Sequence, residues 1–137
     1  MRTLKYLIIT LLCVAALGMI SCNKGIKTNP LLDCTASNVE EIIVEYGVNH
    51  YSLKQEELTK FLILLSDIEL IESDNTMKKI DGDDFWCLII KLKTGDTVSL
   101  DLASPYIVIN DVGYRVESES CIELQIYVQN IVENTFK

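Results

Sequence analysis

Three cysteines, Cys34, Cys87 and Cys121, are the side chains best suited to covalent chemistry in the body of this 137-residue chain. An oxidising compartment permits disulfides, but an odd number leaves at least one thiol free or paired elsewhere. Cys87 lies in an apolar run and is expected to be a small buried hydrophobe. Cys34 and Cys121 flank the domain and form the most plausible disulfide, with three reduced cysteines as the alternative. No pair has the Cys-x-x-Cys spacing of a zinc or redox site.

His50 is the single histidine of the chain, so any Ser-His-Asp or Cys-His catalytic arrangement has to use it. It lies near a turn beside Tyr51, and no pattern in the sequence places a nucleophile close to it. A solvated loop histidine is therefore expected. One histidine also argues against a zinc hydrolase site.

The densest acidic segment is Asp81-Gly82-Asp83-Asp84, with Asp74 a few residues earlier. Carboxylates at this spacing suit calcium, but the loop lacks the glycine and glutamate positions of a calcium-binding loop. A solvated turn is the expected structure, because aspartate and glycine favour turns. No motif selects a carboxylate pair for glycoside hydrolysis, and there is no phosphate-cradling glycine loop. The sequence thus predicts no catalytic residue, no metal site and no cofactor, and the chain is not expected to be an enzyme.

An aromatic group around Trp86, with Phe85 and Tyr106, is the remaining candidate for a ligand pocket. Trp86 lies in an alternating apolar segment, where an aromatic side chain usually packs in the core. We therefore expect Trp86 to be a core residue.

The N-terminus combines a positive head with an apolar centre. Arg2 and Lys5 precede 15 uncharged residues at positions 6–20, and the small residue Ser21 precedes Cys22. This organisation is typical of a secretory signal peptide. The apolar run is shorter than the roughly 20 residues that span a bilayer.

The segment from Met19 to Cys22 resembles the lipobox of bacterial lipoproteins, in which a small residue precedes an invariant cysteine; Met19 replaces the usual leucine. The resemblance implies cleavage before Cys22 and attachment of diacylglycerol to its thiol, usually with a further acyl chain on the amine. Two or more acyl chains hold a protein stably on a membrane. An uncleaved N-terminal anchor and an ordinary signal peptide cut nearby are the alternatives.

These features divide the chain into a signal peptide at residues 1–21, a lipidated cysteine and flexible tether at residues 22–38, and a single domain at residues 39–137. After cleavage, ten basic residues stand against twenty acidic ones, a net charge of −10. An acidic surface repels nucleic acid and anionic lipid, so nucleic acid is excluded as a partner. The expected location is the bacterial cell envelope, on the extracytoplasmic side of a membrane.

The domain shows both helix and strand periodicity. Residues 39–46 are rich in β-branched residues and predict a strand, and Ser52 with Gln55 predicts a capped helix. Residues 85–102 alternate around a turn at Gly95, and shorter runs follow to residue 116, as in an antiparallel meander. Ser120 with Glu123 resembles a capping box and favours a final helix over a strand. The prediction is an α+β domain with a mostly antiparallel sheet of about four to five strands and two helices on one face.

Three functions fit this layout. The first is a tethered binding module that contacts an envelope protein or small ligand through the free face of its sheet, which then needs an exposed apolar patch. The second is an inhibitor or assembly factor for a secreted enzyme, with a protruding loop at residues 73–84 or 103–113. The third and least favoured is a small envelope hydrolase, with a pocket that gathers His50 or two carboxylates of perturbed pKa.

Overall fold

The structure is a computed structural model that describes residues 29–74 and 86–136. In this part of the chain, seven strands and two helices follow one another. Their bounds are β1 (Val39–Tyr46), β2 (Asn49–Ser52), α1 (Gln55–Ser66), β3 (Leu70–Asp74), β4 (Trp86–Leu92), β5 (Thr97–Ala103), β6 (Tyr106–Ile109), β7 (Val112–Val116) and α2 (Ser118–Thr135).

The strands form one antiparallel sheet in the order β2-β1-β4-β5-β6-β7-β3. Its centre is a row of apolar residues that lie opposite one another on four adjacent strands: Val44, Leu88, Leu100 and Ile109. All four are at most 1% exposed. In the alternating pattern of residues 86–102, every second side chain therefore lies on the buried face of the sheet and the others lie on the opposite face. This is expected for strands covered on one side.

Both helices pack on that buried face. The buried side chains of α1 recur at helical spacing as Leu58, Phe61, Leu62 and Leu65. The same holds for α2, where the buried set is Cys121, Leu124, Val128, Ile131 and Val132. These stripes join the sheet residues in one core cluster, because an amphipathic helix needs an apolar surface on which to bury its stripe. The α+β class, the first strand and the final helix are confirmed.

The predicted number of strands, four to five, is too low. The two strands beyond that number, β2 with four residues and β3 with five, lie at the two ends of the sheet. Edge strands are half solvated and short, so they carry little apolar alternation for a sequence pattern to reveal. The sequence also allows a brief strand around Met77 and Ile80, and these positions fall outside the described residues.

The turn of the meander that was predicted at Gly95 is confirmed. Gly95, with a φ of +94°, turns the chain between β4 and β5. Asn110 and Asp111 join β6 to β7 with φ of 48° and 66°. Two successive left-handed residues are typical of two-residue hairpin turns, and asparagine and aspartate tolerate this region better than most residues.

Both predicted capping boxes are wrong in position. Ser52 belongs to β2, where its hydroxyl donates to Glu41 at 2.8 Å, and α1 begins at Gln55 instead. The N-cap residue of α1 is Lys54, whose backbone N–H donates to the carboxylate of Glu57 at 2.8 Å. At α2 the N-cap residue is Glu117, and Ser120 lies inside the first turn.

Core packing also begins earlier in the chain than residue 39. Leu31 and Cys34, in the segment assigned to the flexible tether, are 8% and 6% exposed and belong to the core cluster. Residues 29–38 form turns that pack on the domain, such as the one in which the N–H of Cys34 donates to the carbonyl of Leu31 at 3.0 Å.

Candidate functional site

Four aromatic rings meet at one end of the helix-covered face. The rings of Tyr46 and Trp86 stack with centroids 5.4 Å apart, and Tyr46 also stacks on Phe136 at 6.1 Å. Tyr51 meets Phe136 edge to face at 6.4 Å. Offset stacks and edge-to-face pairs at these distances are the favourable arrangements of aromatic side chains. We call Tyr46, Tyr51, Trp86 and Phe136 the aromatic patch.

Three parts of the fold bring these rings together. Tyr46 ends β1 on the same face as Val44, and Tyr51 lies opposite Val44 on β2. Trp86 begins β4, and Phe136 directly follows α2, where its N–H donates to the carbonyl of Val132 at 3.0 Å. The patch therefore depends on the sheet register and on the end of the last helix at once.

Two of the four rings in the aromatic patch are exposed to solvent, and the other two are half-buried. Tyr46 is 45% exposed and Phe136 39%, and Val48, in the turn between β1 and β2, is 92% exposed. Trp86 is half-buried and packs against the core. An apolar surface left in water in this way is typical of a contact site.

The sequence identified only one member of this patch. Trp86 was expected in the core, where it lies in part, but Tyr106 lies on the opposite face of β6 and Phe85 is outside the described residues. Tyr46 and Phe136 were missed because they are 90 residues apart and meet only through the fold. The single local indication of the patch in the sequence was the aromatic residue Tyr46, directly before the turn at Gly47.

A row of titratable side chains crosses the other face of the sheet, the one that the helices do not cover. His50, Glu45, Cys87 and Asp101 lie opposite one another on β2, β1, β4 and β5. His50 Nδ1 lies 3.6 Å from Glu45 Oε1, and the histidine side chain is 62% exposed. Because β1 separates His50 from Cys87, about 10 Å of sheet lies between the two strands that carry them, too far for a Cys-His pair.

Cys87 is held as a neutral thiol. Burial raises its pKa to about 12, together with hydrogen bonding to Asp101 and the charges of Asp101 and Glu45. The thiolate is the nucleophile in cysteine chemistry, and carboxylates on both sides disfavour it. This row therefore lacks an activated nucleophile.

Cys34 and Cys121 are both free thiols in the structure. The disulfide between them stays a prediction, with reduced cysteines as the alternative. Each is buried in the core cluster, Cys34 in the N-terminal turns and Cys121 in the first part of α2. Burial raises the pKa of each thiol to about 11. Both act as small apolar core residues.

The raised pKa values predict slow alkylation of the folded domain. At pH 8, iodoacetamide should leave Cys34, Cys87 and Cys121 largely unmodified, because the thiolate forms only as the pH approaches about 11 to 12. In denaturant the same three thiols should react fully, since ordinary thiols titrate near pH 8.5. Mass spectrometry of the alkylated peptides checks this. A Cys34–Cys121 disulfide that survives until a reductant is added would contradict it.

Two other candidate positions, Cys22 and the acidic segment at residues 81–84, lie outside the described residues. Within residues 29–74 and 86–136, no group of three or more His, Cys, Asp or Glu side chains is placed to hold a metal ion. No helix in that part of the chain has the length and apolarity needed to cross a bilayer.

The chain was compared with known proteins by sequence and by fold. No family model, curated protein or solved structure matches it.

Proposed function

We propose that this chain is a lipoprotein of the bacterial cell envelope, held by acylated Cys22 on the extracytoplasmic side of a membrane. Its domain acts as a binding module that contacts an envelope protein through the aromatic patch. The anchor is supported by the basic head at Arg2 and Lys5, the uncharged run at residues 6–20 and Ser21 before Cys22. The contact rests on the exposure of Tyr46 and Phe136 beside Val48.

The chemistry of the patch favours a protein partner. Tyrosine, tryptophan and phenylalanine are enriched in the centres of protein interfaces, where a few such residues supply most of the binding free energy. Trp86 is fixed by its packing on the core, and Tyr46 and Phe136 are stacked, so these rings lose little conformational freedom on binding. The surface is thus largely organised before a partner arrives.

The free face of the sheet, which the sequence suggested as the binding surface, fits less well. Its central apolar pair, Ile43 opposite Ile89, is half-buried, and the Glu41–Lys91 ion pair at 2.8 Å lies beside it. No large exposed apolar side chain of the described residues lies on β4, β5 or β6. The apolar surface that a binding module needs lies instead at the aromatic patch.

The inhibitor or assembly-factor function predicted a protruding loop. Residues 103–113 instead contribute to β5, β6 and β7 and are part of the sheet. The other loop, at residues 73–84, lies mostly outside the described residues. No feature of the described structure favours this function over a binding module.

Site-specific photocrosslinking in native cells tests the proposal. A photoreactive residue at Val48 of the full-length chain should crosslink to a protein of the envelope, because Val48 is 92% exposed beside the patch. Replacing both Tyr46 and Phe136 with serine should weaken this contact by roughly 30-fold or more, since the loss of even one interface hot spot costs about 2 kcal/mol or more.

The matched control is Ile126→Ser, which removes an apolar side chain that is 52% exposed on α2, outside the patch. It should leave the crosslink from Val48 unchanged. An absence of any protein crosslink from Val48, or a crosslink that survives the double substitution undiminished, would refute the patch as a protein-binding surface.

A further inference from the structure

A groove of about 410 Å³ runs between α1 and α2, and a molecule in it would touch two unpaired lysines. Lys54 and Lys60 line its α1 side, and Tyr127, Asn130 and Asn134 line its α2 side. Glu57 lies between the two lysines at steps of three positions, and the α2 residues follow one another at steps of three and four. Residues at this spacing share one face of a helix. The volume is in the usual range for sites that bind small molecules.

The two lysines stand out in a chain of net charge −8. Of the other basic side chains in the described ranges, Lys91 and Arg115 are ion-paired, with Glu41 at 2.8 Å and Glu72 at 3.2 Å, and Lys93 lies outside the groove. Within the described ranges, Lys54 and Lys60 form no such pair. Lys60 Nζ instead lies 5.0 Å from the centroid of the Tyr127 ring, which holds the ammonium group at the groove.

The carboxylate in the groove, Glu57, is already engaged. It accepts a hydrogen bond from the hydroxyl of Tyr51 at 2.9 Å and one from the N–H of Lys54 at 2.8 Å. Tyr127 donates to the carbonyl oxygen of Glu57 at 3.1 Å and so ties α2 to α1. These bonds hold the two helices and the Glu57 carboxylate in place. With the negative charge of Glu57 counted against the two lysines, the groove keeps one net positive charge.

Asn130 and Asn134 add neutral donors on the opposite wall. Both side chains are exposed, and in the part of the chain that the structure describes neither amide forms a hydrogen bond. Two ammonium groups facing amide donors across a groove suit an anion with several acceptor oxygens. A cation would meet two positive charges and one carboxylate that is already bound.

We infer that this groove binds a small oxyanion, the carboxylate or phosphate group of a small molecule. Lys54, directly before α1, and Lys60 on α1 contact it from one side, and Asn130 and Asn134 on α2 from the other. The site is separate from the protein contact proposed at the aromatic patch, although Tyr51 borders both. The acidic remainder of the domain repels anions, so we expect the strongest anion binding at this pair of lysines.

Titration of the full-length chain in a nonionic detergent tests this inference. Succinate and inorganic phosphate are added separately up to about 10 mM, with glycerol as the uncharged control, and heat and amide NMR shifts are recorded. At least one anion should bind and shift the amides of residues 54–60 and 127–134. Binding of succinate alone indicates a carboxylate ligand, and binding of phosphate alone a phosphate ligand.

A double substitution, Lys54→Gln with Lys60→Gln, should weaken this binding at least about tenfold, because it removes both charges that hold the anion. Lys93→Gln removes a lysine outside the groove and should leave the affinity unchanged. If neither anion binds, or if the double variant binds as well as the original chain, the inference is wrong. Equal binding of glycerol would also overturn it, since charge would then play no part.

Discussion

Replacing Phe61 with alanine is expected to lower the free energy of unfolding by about 3–5 kcal/mol. Phe61 is 0% exposed and has the largest volume of the fully buried side chains among the described residues. It lies on α1 within the cluster that joins both helices to the sheet. The truncation loses the transfer free energy of the ring and leaves a cavity among rigid neighbours. Because small domains are stable by only about 5–15 kcal/mol, this is a large part of the total.

Urea unfolding, followed by far-ultraviolet circular dichroism and by the fluorescence of the single tryptophan, measures this change. Ile63→Ala is the control on the same helix, since Ile63 is 59% exposed. Both variants introduce alanine into α1, so the gain in helix propensity is similar in the two. Ile63→Ala should change stability by less than about 0.5 kcal/mol. Similar decreases in the free energy of unfolding of the two variants would mean that α1 does not pack on the sheet through Phe61.

Replacing Cys22 with alanine is expected to release the protein from the membrane fraction. The proposed anchor is a set of acyl chains on Cys22, and each buried methylene group contributes about 0.8 kcal/mol to membrane binding. Without the thiol no thioether can form, and the net charge of −10 left by ten basic and twenty acidic residues gives no attraction to anionic lipid.

Fractionation of cells that express the variant, followed by detection of the domain, measures the release. Met19→Leu is the control, because it restores the usual lipobox residue and should leave the chain membrane-bound. If Cys22→Ala stays in the membrane fraction at the original level, an uncleaved N-terminal anchor holds the protein instead.

The long elements were predictable because their periodicity is unambiguous. The alternation of Leu88, Ile90 and Leu92 and the helical spacing of Leu58, Phe61, Leu62 and Leu65 each match one secondary structure and one buried face. The sequence therefore predicted the α+β class, the meander and both helices.

The edge strands and the helix starts were not predictable in the same way. In β2, the pattern Asn49 to Ser52 is exposed or half-buried throughout, so no alternation marks it. Ser52 could cap a helix or donate to Glu41 across the sheet edge, and only the fold decides between these partners.

The candidate site was even less accessible from the sequence. Tyr46 and Phe136 form one surface only because their rings stack, and this stack depends on both the sheet register and the end of α2. The groove likewise needs Tyr127 to reach Glu57, 70 positions away in the chain. Local patterns predict which residues are buried, but surfaces built from distant segments appear only once the topology is known.

The proposed envelope location depends on one proposed modification, the acylation of Cys22, which the mass of the natural product tests most directly. Intact mass spectrometry of the chain purified from its own membrane should show a polypeptide that starts at Cys22 and carries diacylglycerol on the sulfur, usually with an additional acyl chain on the amine. A mass equal to that of the unmodified chain from Met1 would contradict both the anchor and the envelope location.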